Sequence, residues 1–175
     1  MKGVLTMPLS TFENLPQPKK DRITAALLTE FSEHSLAEAQ VARIVTGADI
    51  ARGAFYKYFA DLTDAYQYLY GVALTHIHHE FGRPTGTAFN PDSYYEAVAS
   101  FVDHVAASPY DHLIKRHYRE NESLVPTRVL PEDLPVADWA AMTLSHATIK
   151  EIMLQPDQQT AALARFRQAL TLLAG

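Results

Sequence analysis

Apolar residues recur every three or four positions through most of the chain, the period of helices packed on one face. Ile23, Leu27 and Phe31 form the first stripe, in a helix expected from about Pro18 to Glu33; a proline suits its first turn. Ser35-Leu36-Ala37-Glu38 reads as a capping box opening a second helix to about Val45, with Val41, Ala42, Ile44 and Val45 facing inward. Thr46, Gly47, Ala48 and Asp49 break it. Ile50, Ala54, Phe55 and Phe59 then carry a third stripe, in a helix from about Ile50 to Tyr58. Asp61-Leu62-Thr63-Asp64 reads as another amino-terminal cap, opening a long helix to about Phe81 with Leu62, Ala65, Leu69, Val72/Ala73 and Ile77 inward.

Gly82 to Gly86 is a loop, after which Asn90-Pro91 starts a helix carrying Tyr94, Val98, Phe101, Val102 and Val105. Ser108-Pro109 restarts a helix through Tyr110, Leu113, Ile114, His117 and Tyr118. Asn121 to Pro135 holds three prolines and predicts a loop with at most a short helix. Two helices close the chain, from about Val136 to Leu154 with Trp139, Thr143 and Met153 among its anchors, and from about Asp157 to Leu173 with Leu163, Phe166, Leu170 and Leu173 in register. Pro156 separates them tightly, so they are expected as antiparallel neighbours. The fold class is all-α. Residues 1–17, broken by Pro8 and Pro16, read as an irregular arm, 18–60 as a three-helix unit, and 61–175 as a helical body that the long helix joins to it.

Composition narrows the function. The chain has 175 residues, a hydrophobic share of 47% and no cysteine, which excludes disulfides, thiolate metal sites and a cysteine nucleophile. No targeting signal or membrane-length apolar run is present; with the missing cysteines this suits a cytoplasmic protein. The net charge of −5 is uneven: residues 1–60 carry 7 basic and 6 acidic side chains, residues 61–175 carry 8 and 14. The acidity lies in the body, leaving room for a local basic face in the amino-terminal unit.

That unit carries the clearest chemistry. Two helices as short as Val41–Val45 and Ile50–Tyr58 cannot stand alone and need a third to pack on. This is the logic of a helix-turn-helix, whose second helix enters the DNA major groove. Arg52, Tyr56, Lys57 and Tyr58 are expected to project away from the Ile50/Phe55/Phe59 side, offering cations and phenols to phosphates and base edges. Gly53 and Ala54 allow close backbone approach. Lys19, Lys20 and Arg22 oppose the dipole at the start of their helix, so they either touch phosphate or sit solvated. The arm, with one lysine, favours a disordered start over a DNA contact.

Ile-Ala-Arg-Gly-Ala-Phe-Tyr-Lys-Tyr-Phe (Ile50 to Phe59) resembles the recognition-helix signature of TetR-type transcriptional regulators, and Arg22-Ile23 through Phe31 resembles that family's first helix. The resemblance covers roughly Lys19 to Leu69; beyond it only the all-helical layout is shared. It implies a helix-turn-helix head on a carboxy-terminal effector-binding and dimerisation domain. It implies that Ala51, Arg52, Gly53 and Ala54 face the groove floor, with Arg52 alone among them able to contact guanine bidentately. Tyr56 and Tyr58 grip phosphates beside Lys57, and Lys20, Gln40 and Arg43 complete the DNA face. The sequence departs from the family at Asp49, where glycine is usual, at Ala39, Ala51 and Ala54, where serine or threonine is usual, and at Leu62, often lysine. These changes remove hydroxyl contacts and two caps; Asp49 is suited to replace one of the caps and tolerates a left-handed backbone.

In the body, Tyr66, Tyr70, Tyr95, Phe101, His104, Tyr110, His117, Tyr118 and Trp139 are either an ordinary core or the lining of an effector cavity, apolar with a few polar handles. The resemblance implies the cavity. The closing helices either bury themselves in their own subunit or, as the resemblance implies, form a two-fold four-helix interface through Ala140, Leu144, Ala147, Leu163, Phe166 and Leu170. His76 and His79 share a face, but without further metal-ligand spacing they read as surface or core residues. No nucleophile motif or phosphate loop is present, so neither an enzyme nor a cofactor is expected. The expected partners are a double-stranded DNA operator, an unidentified small-molecule effector and a second copy, with no membrane. The alternative is a helical small-molecule or protein-binding module that has lost DNA binding.

Overall fold

Pro8 and Pro16 bracket a segment that is not irregular. In the structure, a computed structural model describing residues 8–78, 89–126 and 132–175, Ser10–Glu13 forms a one-turn helix, α1. The cause is Phe12, only 2% exposed and held among other aromatic rings, a long-range contact that local proline content does not reveal. The expectations for residues 1–7, for His79 and the end of the long helix at Phe81, for the Gly82–Gly86 loop and for 127–131 lie outside the described residues.

The remaining elements are α2 (Gln17–Glu33), α3 (Val41–Gly47), α4 (Arg52–Tyr58), α5 (Leu62–His78), α6 (Pro91–Ala107), α7 (Asp111–Arg116), a π-helical turn (His117–Asn121), a 3-10 turn (Glu122–Leu124), α8 (Val136–Leu154), a second 3-10 turn (Pro156–Gln158) and α9 (Gln159–Ala174). Among the described residues there is no strand, and no helix is long and apolar enough to cross a membrane. By packing, the chain divides into Met1–Thr75 with His112–Val125, and His76–Asp111 with Pro126–Gly175. The packing boundary therefore falls within α5, not at 60/61, and the turn after α7 belongs with the amino-terminal helices.

In the first unit α2 packs on α3, α3 on α4 and α1 on α4. Ile23, Leu27, Phe31, Ile44, Ala48, Phe55, Phe59, Tyr66 and Leu69 are all closed to solvent there; each large apolar side chain so buried contributes roughly 1.5–3 kcal/mol. The expected capping box behaves differently from its pattern. Ser35 Oγ donates to Glu38 Oε2 at 3.1 Å, but the bond closes a turn, and α3 starts only at Val41. What fixes that start is Glu30, a buried carboxylate that accepts from the Gln40 amide at 2.7 Å and from Arg43 Nε and Nη2 at 2.8 and 2.6 Å. The cap before α5 is formed as expected: the Asp64 amide donates to Asp61 Oδ1 at 2.8 Å and the Ala60 amide to Asp64 Oδ2 at 2.9 Å.

In the second unit α6, α8 and α9 pack pairwise around Val98, Ala141, Phe166 and Leu170. Asn90 caps α6 by accepting from the Ser93 amide. The Tyr94 hydroxyl donates to Asp138 Oδ1 at 2.8 Å, joining α6 to α8. Burial, with the Asp138 hydrogen bond and charge, pushes that phenol up to about 12. Two expectations for this unit change. Phe166 and Leu170 are buried inside their own subunit, so they are not free to meet a second copy; Leu144 and Leu163 pack on the edge of the same core. Trp139 is no anchor: it is 52% exposed.

Candidate nucleic-acid interface

The turn between α3 and α4 has a defined hydrogen-bond pattern. The Asp49 amide donates to Thr46 O at 3.3 Å and the Ile50 amide to Val45 O at 3.1 Å, the paired bonds of a Schellman stop. The pattern needs one residue in the left-handed region, and Asp49 supplies it with φ 51°. The side chain does not cap α4, contrary to expectation: the N-cap residue is Ala51, and no side chain bonds to that end. The turn reverses the chain through backbone geometry alone.

On α4, Phe55 and Tyr58 face the core with Phe59 just beyond, while Arg52, Gly53, Tyr56 and Lys57 are exposed at i, i+1, i+4 and i+5. These four share one face, with exposed Ala51 at its leading edge and half-buried Ala54 at its flank. A Cβ added at Gly53 would meet nothing within 4 Å. Among the described residues nothing requires glycine there. The face presents two cations, one phenol and a flat backbone stretch.

Tyr58 does not join that face. It is 5% exposed, its ring meets Phe12 edge-on at 6.0 Å, and Lys19 Nζ lies 5.7 Å above it. With Phe55 and Phe59 it makes an i, i+3, i+4 set, so core packing claims it. Arg43 is also committed elsewhere. Its guanidinium holds Glu30 and donates to Glu38 O at 3.0 Å, because a buried carboxylate needs a charged partner. Gln40 is exposed at the start of α3, and Lys20 is half-buried near the start of α2.

The aromatic and polar residues expected to line one cavity fall into two groups. Tyr95, Phe101, His104 and Trp139 belong to the second unit, where Arg167 lies 4.3 Å over the Tyr95 ring and His104 Nδ1 bonds Ser100 O at 2.7 Å. Tyr66, Tyr70 and Tyr118 belong to the first and surround His117. The Tyr66 hydroxyl and His117 Nδ1 are 2.9 Å apart, and the His117 ring stacks on Tyr70 at 4.1 Å. Burial raises the phenols of Tyr66 and Tyr70, and burial with the nearby Glu122 charge raises Tyr118 to about 12 despite a hydrogen bond from Tyr70. All three are neutral at physiological pH. The sequence already grouped His117 with these tyrosines; it gave no sign of Asn121. Asn121 is fully buried, its Oδ1 accepts from the Leu36 amide at 2.8 Å, and among the described residues its Nδ2 makes no hydrogen bond of full geometry. The cluster is thereby tied to the turn that precedes α3. Among the described residues no group of His, Asp and Glu is arranged to hold a metal.

No family model and no curated protein matches the sequence. A solved structure does match the fold: a TetR family transcriptional regulator from Chloroflexus aurantiacus J-10-FL, with TM-score 0.53 and 20% identity over 96% of this chain and 97% of that one. The chain has the TetR-type fold. At that identity the TetR-type likeness concerns architecture, and it spans both units rather than the head alone.

Proposed function

We propose that the chain is a DNA-binding transcriptional regulator, working as a homodimeric repressor that releases DNA on binding a small molecule. The observation that carries this reading is the exposed face of α4, where Arg52, Gly53, Tyr56 and Lys57 stand together outside the core. The fold shared with a TetR family transcriptional regulator supports it. Arg52 reads a base edge in the major groove; Tyr56 and Lys57 bind the flanking phosphates. One such head reads too few base pairs for a useful specificity ratio, so two copies bind half-sites about 34–36 Å apart or a multiple of it. A DNA partner also fits a cytoplasmic protein.

Dimerisation keeps Ala147 of the residues first expected and adds others to it. Val136, Trp139, Thr143, His146 and Ala147 are exposed along one side of α8, and Leu172 is exposed on α9. Ala140 lies beside that stripe. Apolar side chains of this size, left on a helix whose other faces are already packed, suit cover by a second copy. The effector site is assigned to the Tyr66, Tyr70, His117 and Tyr118 cluster. The Asn121 Nδ2, which makes no hydrogen bond of full geometry, supports this, since it offers a buried donor, and the Leu36–Asn121 bond links the cluster to the DNA-binding turn. The effector shifts the DNA equilibrium only by its differential affinity for the two states.

Genomic selection of DNA fragments, followed by mobility-shift titration at moderate salt, tests the reading. A folded dimer is expected to select a near-palindrome, and Arg52→Ala to cost about 1–3 kcal/mol at one base position with the rest of the profile kept. A folded dimer that shows no sequence-selective shift would instead support a helical binding module without DNA function. The engagement of Arg43 and the burial of Tyr58, which reduce the available contacts, favour that alternative.

A further inference from the structure

We infer that Leu9–Glu13 is a brace that sets the position of α4, with Phe12 as its positioning residue. Helix α4 is seven residues long and has no side-chain cap at its start, so nothing within it fixes its tilt. Its far end is held from outside. The Phe12 ring lies 5.0 Å from Phe59, 4.9 Å from Tyr68 and 6.0 Å from Tyr58. The Tyr68 hydroxyl in turn bonds Thr24 Oγ1 on α2 at 3.0 Å. One side chain thus joins the end of α4 to α5 and, through it, to α2. The Leu9 amide completes the brace by donating to Tyr58 O at 2.9 Å, one of the carbonyls that a helix end leaves without a partner.

One side chain anchors the segment. Ser10, Thr11, Glu13 and Asn14 are exposed, as is Leu9, whereas Phe12 is closed off. A four-residue helix cannot hold itself together in water, so docking of Phe12 and formation of α1 occur together. The outward set Arg52, Gly53, Tyr56 and Lys57 depends on how α4 is rotated and tilted, and a recognition group misplaced by about 1 Å loses much of its effect. The brace itself stands on packing alone; its consequence for DNA rests on the function proposed above.

Amide hydrogen exchange on the full chain, without DNA, reads the brace directly. Phe12→Ala is expected to speed exchange in Phe55–Phe59 about 10-fold or more, with α2 and α6 unchanged, and Phe12→Leu to restore most of the protection. Leu9→Pro provides a variant that keeps the aromatic anchor: the native φ of −57° suits proline, and only the donor to Tyr58 O is removed. It is expected to speed the same α4 amides by a smaller factor. Uniform acceleration throughout the first unit, or none in α4, overturns the proposal by reducing Phe12 to ordinary core. In the binding arm, Phe12→Ala is expected to weaken operator affinity about 10-fold, equivalent to about 1.4 kcal/mol, at a temperature where it remains folded, with Phe12→Leu close to wild type. Should the wild-type chain bind no DNA, the regulator reading fails, and the exchange arm still decides the brace.

Discussion

Replacing Asn121 with leucine removes the side-chain link between the π-helical turn and the loop before α3. In the native chain Asn121 Oδ1 accepts from the Leu36 amide at 2.8 Å, across 85 positions of sequence, and both residues are buried. Leucine fills similar space but accepts nothing. The Leu36 N–H is then stranded in a site that water does not reach, at a cost of about 1–3 kcal/mol. Part is offset, because the native Nδ2 already lacks a hydrogen bond of full geometry and its removal ends that penalty. The net expectation is a loss of about 1–2 kcal/mol. For a chain of this length that lowers the thermal midpoint by about 2–8 °C.

Urea denaturation gives the energy, and hydrogen exchange at the Leu36 amide shows whether the loss occurs where the bond was. Asn121→Asp is the informative companion. It keeps an acceptor for Leu36 and discards the N–H2, but places a carboxylate in a fully buried site. Burial raises that carboxyl above its unfolded value. The variant is therefore destabilised at neutral pH and recovers as pH falls through its folded-state pKa. Unchanged Leu36 protection in Asn121→Leu, or equal stability of wild type and leucine variant, would refute the reasoning.

Two other perturbations follow from single residues in the head. Asp49 holds φ 51°; alanine there is expected to lose about 1–2 kcal/mol, whereas glycine gains conformational ease and loses chain entropy, staying within about 1 kcal/mol of wild type, and denaturant midpoints of the three separate them. Asp49→Gly also removes a negative charge beside the α4 face, so operator affinity is expected to rise. Glu30 is pushed up by burial, but hydrogen bonds from Arg43 and the Gln40 amide, with the Arg43 charge, outweigh this and hold its carboxyl below the usual 4.5. A depressed folded pKa gives stability that is full above the unfolded value and lost as pH falls through the folded one. The advantage of wild type over Glu30→Gln in urea midpoint is therefore expected to be constant near neutrality and to shrink on acidification; an advantage independent of pH would contradict the ion pair's role.

What could be read from the sequence followed the range of the interaction responsible. The α8 limits, the Asn90 cap on α6 and the Asp61/Asp64 cap on α5 were legible because residues within four positions decide them. The serine-glutamate pair at 35–38 had the right letters and formed a bond, yet Glu30 set the start of α3, through partners 10 and 13 residues away. The α1 turn had no local signal; its reason is Phe12 meeting rings at 58, 59 and 68. Tyr58 is different: its i, i+3 spacing from Phe55 already pointed inward, and its phenol, grouped by residue type with Arg52, Tyr56 and Lys57, was read as outward against that period.

The closing helices show a deeper reason why part of the site stayed hidden. A stripe such as Leu163, Phe166 and Leu170 states that something covers it, and it says the same whether the cover is another helix of the same subunit or a second copy. Phe166 and Leu170 turned out to have α6 and α8 as cover. Only after those faces are filled does the remaining surface become informative, and what remains on α8 is the side with Val136 at 79% and Trp139 at 52% exposure. A tryptophan looked like a core anchor because large aromatics usually are. Its exposure moves the question from what Trp139 packs against in its own subunit to what meets it from outside. That is why the proposed interface keeps Ala147 and sets Val136, Trp139 and Leu172 in place of the buried Phe166 and Leu170.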